Sequence, residues 1–158
     1  MQQNKALRDR LLYLLQGKGA HVQFNKVVSN FPPNLRGKKN MALPYTAWQL
    51  LEHMRIAQWD ILEFSKNSEH VSPKWPEGYW PDTDYPPEKN SWEQSVSSFQ
   101  NDLKAMQDLV SNPKTDLLIK IPHGNGQTIL REALLLADHN AYHLGQLVML
   151  RKILGVWK

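Results

Sequence analysis

Apolar side chains recur every three or four residues in four long stretches of this chain, the spacing that one buried face of an α-helix requires. The stretches span about residues 4–16, 44–67, 91–110 and 128–154. In the second stretch the repeating positions are Leu50, Met54, Ala57, Ile61 and Phe64. A shorter apolar stretch at 21–30 predicts one further helical piece. The pattern therefore predicts an all-α protein whose four main helices pack as a four-helix bundle.

Capping residues, prolines and glycines indicate where these helices begin and end. Pro44 suits the first position of the second helix. Ser91 and Gln94 have the spacing of a capping box at the start of the third helix. Gly155 follows the fourth helix, and glycine commonly ends a helix.

Residues 68–90 join the second and third helices and are rich in proline. They also carry aromatic side chains, which a flexible linker would not normally contain, so we expect an ordered segment that packs on the bundle. The segment is long enough to return along the bundle, which favours a topology with a crossover. The aromatic residues here and just beyond are expected to pack, or alternatively to wall a pocket: Trp75, Tyr79, Trp80, Tyr85 and Trp92.

The composition limits the class of protein. With 158 residues, 41% of them hydrophobic, we expect a single domain over residues 1–158. The absence of cysteine excludes disulfides, thiolate metal ligands and a cysteine nucleophile. No stretch approaches the ~18 apolar residues of a membrane span, and the first residues lack the apolar run of a signal peptide. We therefore expect a cytoplasmic protein.

The chain is moderately basic, with a formal net charge of +4. Its basic residues are scattered, and the densest group, at 36–39, lies in a predicted loop. A solvated basic surface explains the excess, so nucleic-acid binding is not expected.

Three histidines fall on or beside the predicted buried faces of two helices. His139 and His143 are four residues apart in the fourth helix, so they share one face. His53 lies beside the buried stripe of the second helix. Three imidazoles can hold one divalent metal ion and leave a coordination position open, as catalytic sites do. The alternative is a set of hydrogen-bonded core histidines, and the spacing alone does not separate the two.

The stripe around these histidines is otherwise mostly apolar, and buried polar groups need partners. It is predicted to contain Glu132, Leu136, Gln146, Met149 and Leu150. Gly145, on an adjacent face, would let a neighbouring helix approach closely.

Several polar residues could support such a site. Gln146, one turn beyond His143, is the best candidate to hold a ligand imidazole in one tautomer. His123 and His21 are candidates for a place in the pocket or for a general base. Residues beside the histidines are weaker candidates for the same supporting role: Glu52, Asp138 and Asn140.

A histidine in the middle of the second helix, combined with Asp138-His139-Asn140-Ala141-Tyr142-His143-Leu144-Gly145-Gln146 in the last, resembles the DinB-like (DinB/YfiT-like) superfamily. Its members are metal-dependent four-helix-bundle proteins, and the resemblance covers nearly the whole chain. It implies a divalent ion such as Zn, Ni or Fe held by His53, His139 and His143, with water completing the shell. It also implies a homodimer.

The resemblance carries the site better than the chemistry, because most relatives have no assigned reaction. Some are thiol-dependent transferases or isomerases that use low-molecular-weight thiols. The expected function is therefore a metal-dependent enzyme acting on a small molecule, either a thiol-dependent S-transferase or isomerase, or a hydrolase. The alternative is a non-catalytic, stress-related helical module that binds a metal or a small ligand. The sequence assigns no catalytic residue.

Overall fold

The computed structural model describes residues 2–157, and these residues form five α-helices and two short 3-10 turns. The helices are α1 (Gln2–Leu15), α2 (Phe24–Val28), α3 (Ala47–Lys66), α4 (Ser91–Ser111) and α5 (Ile129–Ile153). The 3-10 turns are Pro33–Leu35 and Glu77–Tyr79. Residues 2–157 contain two isolated β-bridges and no strand, so the all-α prediction is confirmed. In that range, no helix is both long and apolar enough to span a membrane.

The helix α3 begins at Ala47, so the prediction that Pro44 is its first residue is wrong. Thr46 caps the helix instead: its side-chain oxygen accepts from the Gln49 backbone N–H at 3.2 Å. The Gln49 side chain in turn accepts from the Thr46 backbone N–H at 3.0 Å. This reciprocal capping box satisfies two backbone donors and fixes the start of the helix that carries His53.

The predicted capping box at the start of α4 is wrong. Asn90 is the N-cap residue, and its side chain makes no capping hydrogen bond. The Ser91 hydroxyl accepts from the Glu88 backbone N–H at 3.0 Å, which stabilises the turn before the helix. The start of α4 is therefore fixed by the preceding turn.

Thr128 caps the start of α5, where its side chain accepts from the Arg131 backbone N–H at 3.2 Å. At the other end Gly155 has a φ of +71°, which an L-residue adopts only with strain. The Val156 N–H donates to the Arg151 carbonyl and the Gly155 N–H to the Lys152 carbonyl, each at 3.0 Å. This pair of bonds is a Schellman motif and ends the helix where the sequence predicts.

Two clusters of buried apolar side chains lie along α3, α4 and α5. The first contains residues from the first halves of α3 and α4 and from the second half of α5, including Leu50, Trp92 and Leu147. The second contains residues from the other halves of these helices and from α1, including Leu62, Met106 and Ala133. On α5 the change from one cluster to the other falls between Leu136 and Leu144. That interval contains His139 and His143.

Two expectations about α5 are wrong. Met149 is 52% exposed, so it does not belong to the inward stripe. A turn of about 100° per residue puts Met149 about 120° from His143 around the helix. A Cβ atom added at Gly145 would meet open space, so no neighbouring helix approaches it within the described chain. Because α5 is apolar on its outward face as well, periodicity alone could not define the buried side.

The segment between α3 and α4 is tied to α3 near the start of that helix and again in its second half. At one end, the Trp48 indole N–H donates to the Thr83 hydroxyl at 3.2 Å, and the Gln49 side-chain amide donates to Asp84 at 3.0 Å. Further along α3, the Asp60 carboxylate contacts two residues of the segment. The proline- and aromatic-rich segment thus packs on the helix that carries His53.

Candidate metal centre

The side chains of His53, His139 and His143 converge, with one nitrogen of each within 4.8 Å of the others. The Nε2 atom of His53 lies 3.1 Å from Nε2 of His143 and 3.1 Å from Nε2 of His139. The helix α5 places two of these rings one turn apart on one face, and α3 supplies the third. His53 and His143 are buried, and His139 is partly exposed.

The His53 ring is fixed from its other edge and from one face. Its Nδ1 atom lies 2.8 Å from the carbonyl oxygen of Tyr79, which can only accept a hydrogen bond. The indole of Trp80 stacks on the ring, with centroids 3.9 Å apart and planes 4° from parallel. Tyr45 stacks on the far side of Trp80. The segment between α3 and α4 therefore holds His53 with Nδ1 protonated and the Nε2 lone pair directed at the other two histidines.

The His143 ring is held by its own helix. Its Nδ1 atom lies 2.8 Å from the side-chain oxygen of Gln146, three residues later. Donation to that oxygen keeps the proton on Nδ1 and leaves the Nε2 lone pair facing the cluster. The structure therefore places Gln146 next to His143, on the ring edge where a supporting partner belongs.

His139 differs from the other two because its Nδ1 atom is buried without a hydrogen-bond partner among the described residues. Burial, aided by the neighbouring His143 and His53, lowers the pKa of His139 to about 3. Burial also lowers the pKa of His53 and of His143. The three rings are therefore neutral near pH 7, which is the protonation state that binds a metal ion.

The donor set fits a bound cation. With the proton of each ring on Nδ1, the Nε2 atoms of His53 and His143 are two acceptors that face each other at 3.1 Å. Two lone pairs cannot satisfy each other, but a cation between them satisfies both. Bonds of about 2.0–2.1 Å from nitrogen to Zn would place two ligand nitrogens roughly 3–3.4 Å apart. The cluster is thus compatible with a divalent metal site.

The sequence model of the DinB superfamily matches residues 16–147, a range that includes all three histidines and Gln146. This chain belongs to the DinB superfamily. No curated protein and no solved structure matches it significantly. DinB-superfamily proteins typically bind a metal, in agreement with the donor set of the cluster.

In this DinB-superfamily chain, the other two histidines predicted for the pocket lie outside the cluster. The Nε2 atom of His123 is 2.7 Å from the Phe64 carbonyl, near the end of α3, and the residue is exposed. His21 is also exposed, with Nδ1 2.9 Å from the Val22 carbonyl. Neither belongs to the group of histidines whose nitrogens converge. Their role as a general base stays a prediction.

The three weaker candidates have other partners or face solvent. Glu52 accepts two hydrogen bonds from Arg55, both at 2.9 Å. Asp138 is exposed. The Asn140 side chain donates to the Gln58 side-chain oxygen at 2.8 Å, which ties α5 to α3 beside His139. Of these, only Asn140 connects the two helices that carry the histidines.

Sequence reasoning missed the partner of His53, because it is a backbone carbonyl and leaves no trace in residue identity. The Tyr79 carbonyl comes from a residue 26 positions later, which only the fold brings to the ring. Sequence reasoning also missed the contact between Asp60 of α3 and His70 of the same segment, whose side chains lie 2.7 Å apart. A polar residue on the apolar-periodic α3 was the available signal for Asp60.

Proposed function

We propose that this chain is a metal-dependent enzyme in which His53, His139 and His143 bind one divalent metal ion. The observation that carries the proposal is the convergence of the three Nε2 atoms, with the tautomers of two rings set by hydrogen bonds at Nδ1. Neutral imidazoles suit Zn, Ni and Fe, the ions that we propose for the site. A small-molecule substrate or water would complete the coordination shell.

Each protein group has a distinct part in this proposal. A bound divalent ion would act as a Lewis acid and lower the pKa of a water or thiol that binds to it. Tyr79 and Gln146 keep the ligand rings in the metal-binding tautomer. The Trp80 indole covers one face of His53 and excludes water from that side. His139, the partly exposed ligand, marks the side from which a small molecule would approach.

The chain contains no cysteine, so a thiol nucleophile in this proposal would come from outside the protein. A low-molecular-weight thiol would make the protein an S-transferase or isomerase, and water would make it a hydrolase. Two assay panels separate these reactions: thiol conjugation to electrophiles, and hydrolysis of small esters and amides. Activity that depends on both the metal and an added thiol would assign the first class, and activity without thiol the second.

Metal analysis tests the site itself. We expect the purified protein to bind about one equivalent of Zn, Ni or Co after chelation and dialysis against the metal. His139→Ala and His143→Ala should lose this binding. The matched controls His123→Ala and His21→Ala, which change histidines outside the cluster, should keep it. Full occupancy in all four variants would refute the metal site.

The burial of the cluster favours a second candidate, a non-catalytic metal-binding module. His53 is 3% exposed and His143 8% exposed, which suits a site that holds a metal for stability. In that case removal of the metal would lower the melting temperature, and the loaded protein would turn over no substrate in either panel. Metal-dependent turnover would exclude this candidate.

We further infer that the four long helices form one four-helix bundle domain with a crossover at 67–90. Trp48 and Trp92, near the starts of α3 and α4, belong to the same core cluster. Leu62 and Val110, near the ends of these helices, belong to the other. This distribution supports helices that run in the same direction, so the chain between them must return along the bundle.

The homodimer is proposed through the outward face of α5. That face exposes large apolar side chains, including Leu134, Leu135, Tyr142, Met149 and Ile153. A second copy of the chain that packs there would remove them from water. A cytoplasmic location and the absence of a nucleic-acid partner stay predictions from the sequence.

A further inference from the structure

A buried carboxylate lies beneath the segment that holds His53. Asp60 is two turns beyond His53 on α3 and is 8% exposed. One carboxylate oxygen is 2.7 Å from Nε2 of His70, and the other accepts from the Tyr79 hydroxyl at 2.6 Å. Both partners belong to the segment after α3. A single side chain therefore fixes that segment at two points.

Tyr79 connects this carboxylate to the histidine cluster. Its hydroxyl donates to Asp60, and its backbone carbonyl accepts from Nδ1 of His53 at 2.8 Å. The next residue, Trp80, stacks on the His53 ring. Displacement of the Tyr79 side chain would therefore move the Tyr79 carbonyl and the Trp80 indole, the two groups that set the orientation of the His53 ring.

The hydroxyl of Tyr79 is a dependable donor. Burial raises the pKa of Tyr79 well above its ordinary value, and the hydrogen bond to Asp60 raises it further. A hydrogen bond between a hydroxyl and a carboxylate is charge-assisted and roughly twice as strong as a neutral one. It also offsets part of the cost of burying the carboxylate.

We propose that Asp60 is a positioning residue for the histidine cluster: through the Tyr79 hydroxyl it holds the Tyr79 carbonyl against His53, so that the Nε2 lone pair points at the metal position. The connection runs from the Asp60 carboxylate through the Tyr79 side chain to the Tyr79 carbonyl. Asp60 itself would contact neither the metal nor the substrate. The consequence for metal affinity rests on the proposed function, whereas the orientation and tautomer of His53 do not.

The first experiment measures the tautomer of His53 in the metal-free protein, from the ¹⁵N chemical shifts of its imidazole at neutral pH. We expect wild type to show a single Nδ1–H tautomer. Tyr79→Phe removes the hydroxyl, and Asp60→Asn replaces the charged acceptor with a neutral and weaker one. Both variants should show a mixture of tautomers, because the Tyr79 carbonyl is held less firmly against His53. Tyr85→Phe is the matched control, since Tyr85 lies in the same segment with 62% of its surface exposed. Unchanged His53 signals in both variants would overturn the proposal.

The second experiment measures the affinity for Co²⁺, whose absorption spectrum also reports the ligand geometry. Loss of a group that orients a ligand typically costs 10–100-fold in affinity, and for a group one step further removed we expect about threefold to tenfold. Tyr79→Phe and Asp60→Asn should show this loss with an altered spectrum, and Tyr85→Phe should match wild type. Equal affinities and spectra in all four proteins would count against the proposal.

The two experiments separate failure of this proposal from failure of the proposed function. If wild type binds no Co²⁺, the metal site is wrong, and the ¹⁵N measurement still decides whether Asp60 orients His53. A purely structural role for Asp60 predicts a lower free energy of unfolding with unchanged His53 signals. If Asp60→Asn does not fold, Tyr79→Phe alone carries both measurements, because it retains the ring and removes only the hydroxyl.

Discussion

The Nε2 atoms of His53 and His143 lie 3.1 Å apart, and the opposite nitrogen of each ring faces an oxygen at 2.8 Å. For His143 that oxygen belongs to Gln146, one turn along the same helix. For His53 it is the carbonyl of Tyr79, in the segment between α3 and α4, which the Asp60 side chain holds on α3. Because the two rings are held by different means, changes at the two partners should have different effects.

Gln146→Ala should weaken metal binding by about tenfold or more, because the His143 ring loses the group that fixes its tautomer. Competition with a chromophoric chelator measures the affinity. Gln146→Glu should retain most of it, since a carboxylate accepts the same hydrogen bond. Gln100→Ala is the matched control, because Gln100 is exposed on α4 and contacts Asn25. Equal affinities of Gln146→Ala and wild type would show that Gln146 does not support the site.

Trp80→Ala should lower the free energy of unfolding by about 2 kcal/mol, because stacking on His53 and Tyr45 is lost together with partial burial. Urea denaturation of the metal-free protein measures the change. Trp75→Ala, at a residue of the same segment that is 71% exposed, should cost less than half as much. Similar costs for both replacements would mean that the stack contributes little.

The stability of the metal-free protein should fall as the pH drops below about 6.5. Burial, aided by the neighbouring histidines, lowers the pKa of His139 from 6.5 to about 3, so the unfolded chain takes up a proton that the folded chain refuses. The free energy of unfolding is therefore highest above pH 6.5 and decreases towards pH 3. Burial lowers the pKa of His53 and His143 too, which adds to the same trend.

Urea titrations at several pH values test this dependence with His139→Gln as the comparison. The glutamine cannot be protonated, so the variant should lose less stability between pH 7 and pH 5 than wild type. His123→Gln, which changes an exposed histidine outside the cluster, is the matched control. Parallel curves for wild type and His139→Gln would contradict the expectation.

Charges on the outward face of α5 should dissociate the proposed homodimer. Leu135→Glu combined with Met149→Lys replaces two exposed apolar side chains on that face. Sedimentation should give a dimer for wild type and a monomer for the double variant, with metal binding unchanged. Leu118→Lys, at an exposed apolar residue outside the helix, should leave the dimer intact. A wild-type monomer at micromolar concentration would rule out this assembly.

The sequence by itself determined the helices and the histidine pair. Periodicity, Thr128 and Gly155 defined α5, because local hydrogen bonds and backbone conformation depend on neighbouring residues. The i,i+4 spacing placed His139 and His143 on one face, since helix geometry leaves no other arrangement. Gln146 was found for the same reason, as it lies one turn beyond His143.

Only the tertiary structure decided which side of α5 is buried and what holds His53. Met149 is exposed although the sequence pattern predicts it on the inward stripe, because a helix that is apolar on both faces gives no single periodic signal. The partners of Asp60 and the carbonyl that contacts His53 come from the segment between α3 and α4, which contains only a short 3-10 turn. Such contacts depend on the path of the backbone through space, which no local pattern of side chains encodes.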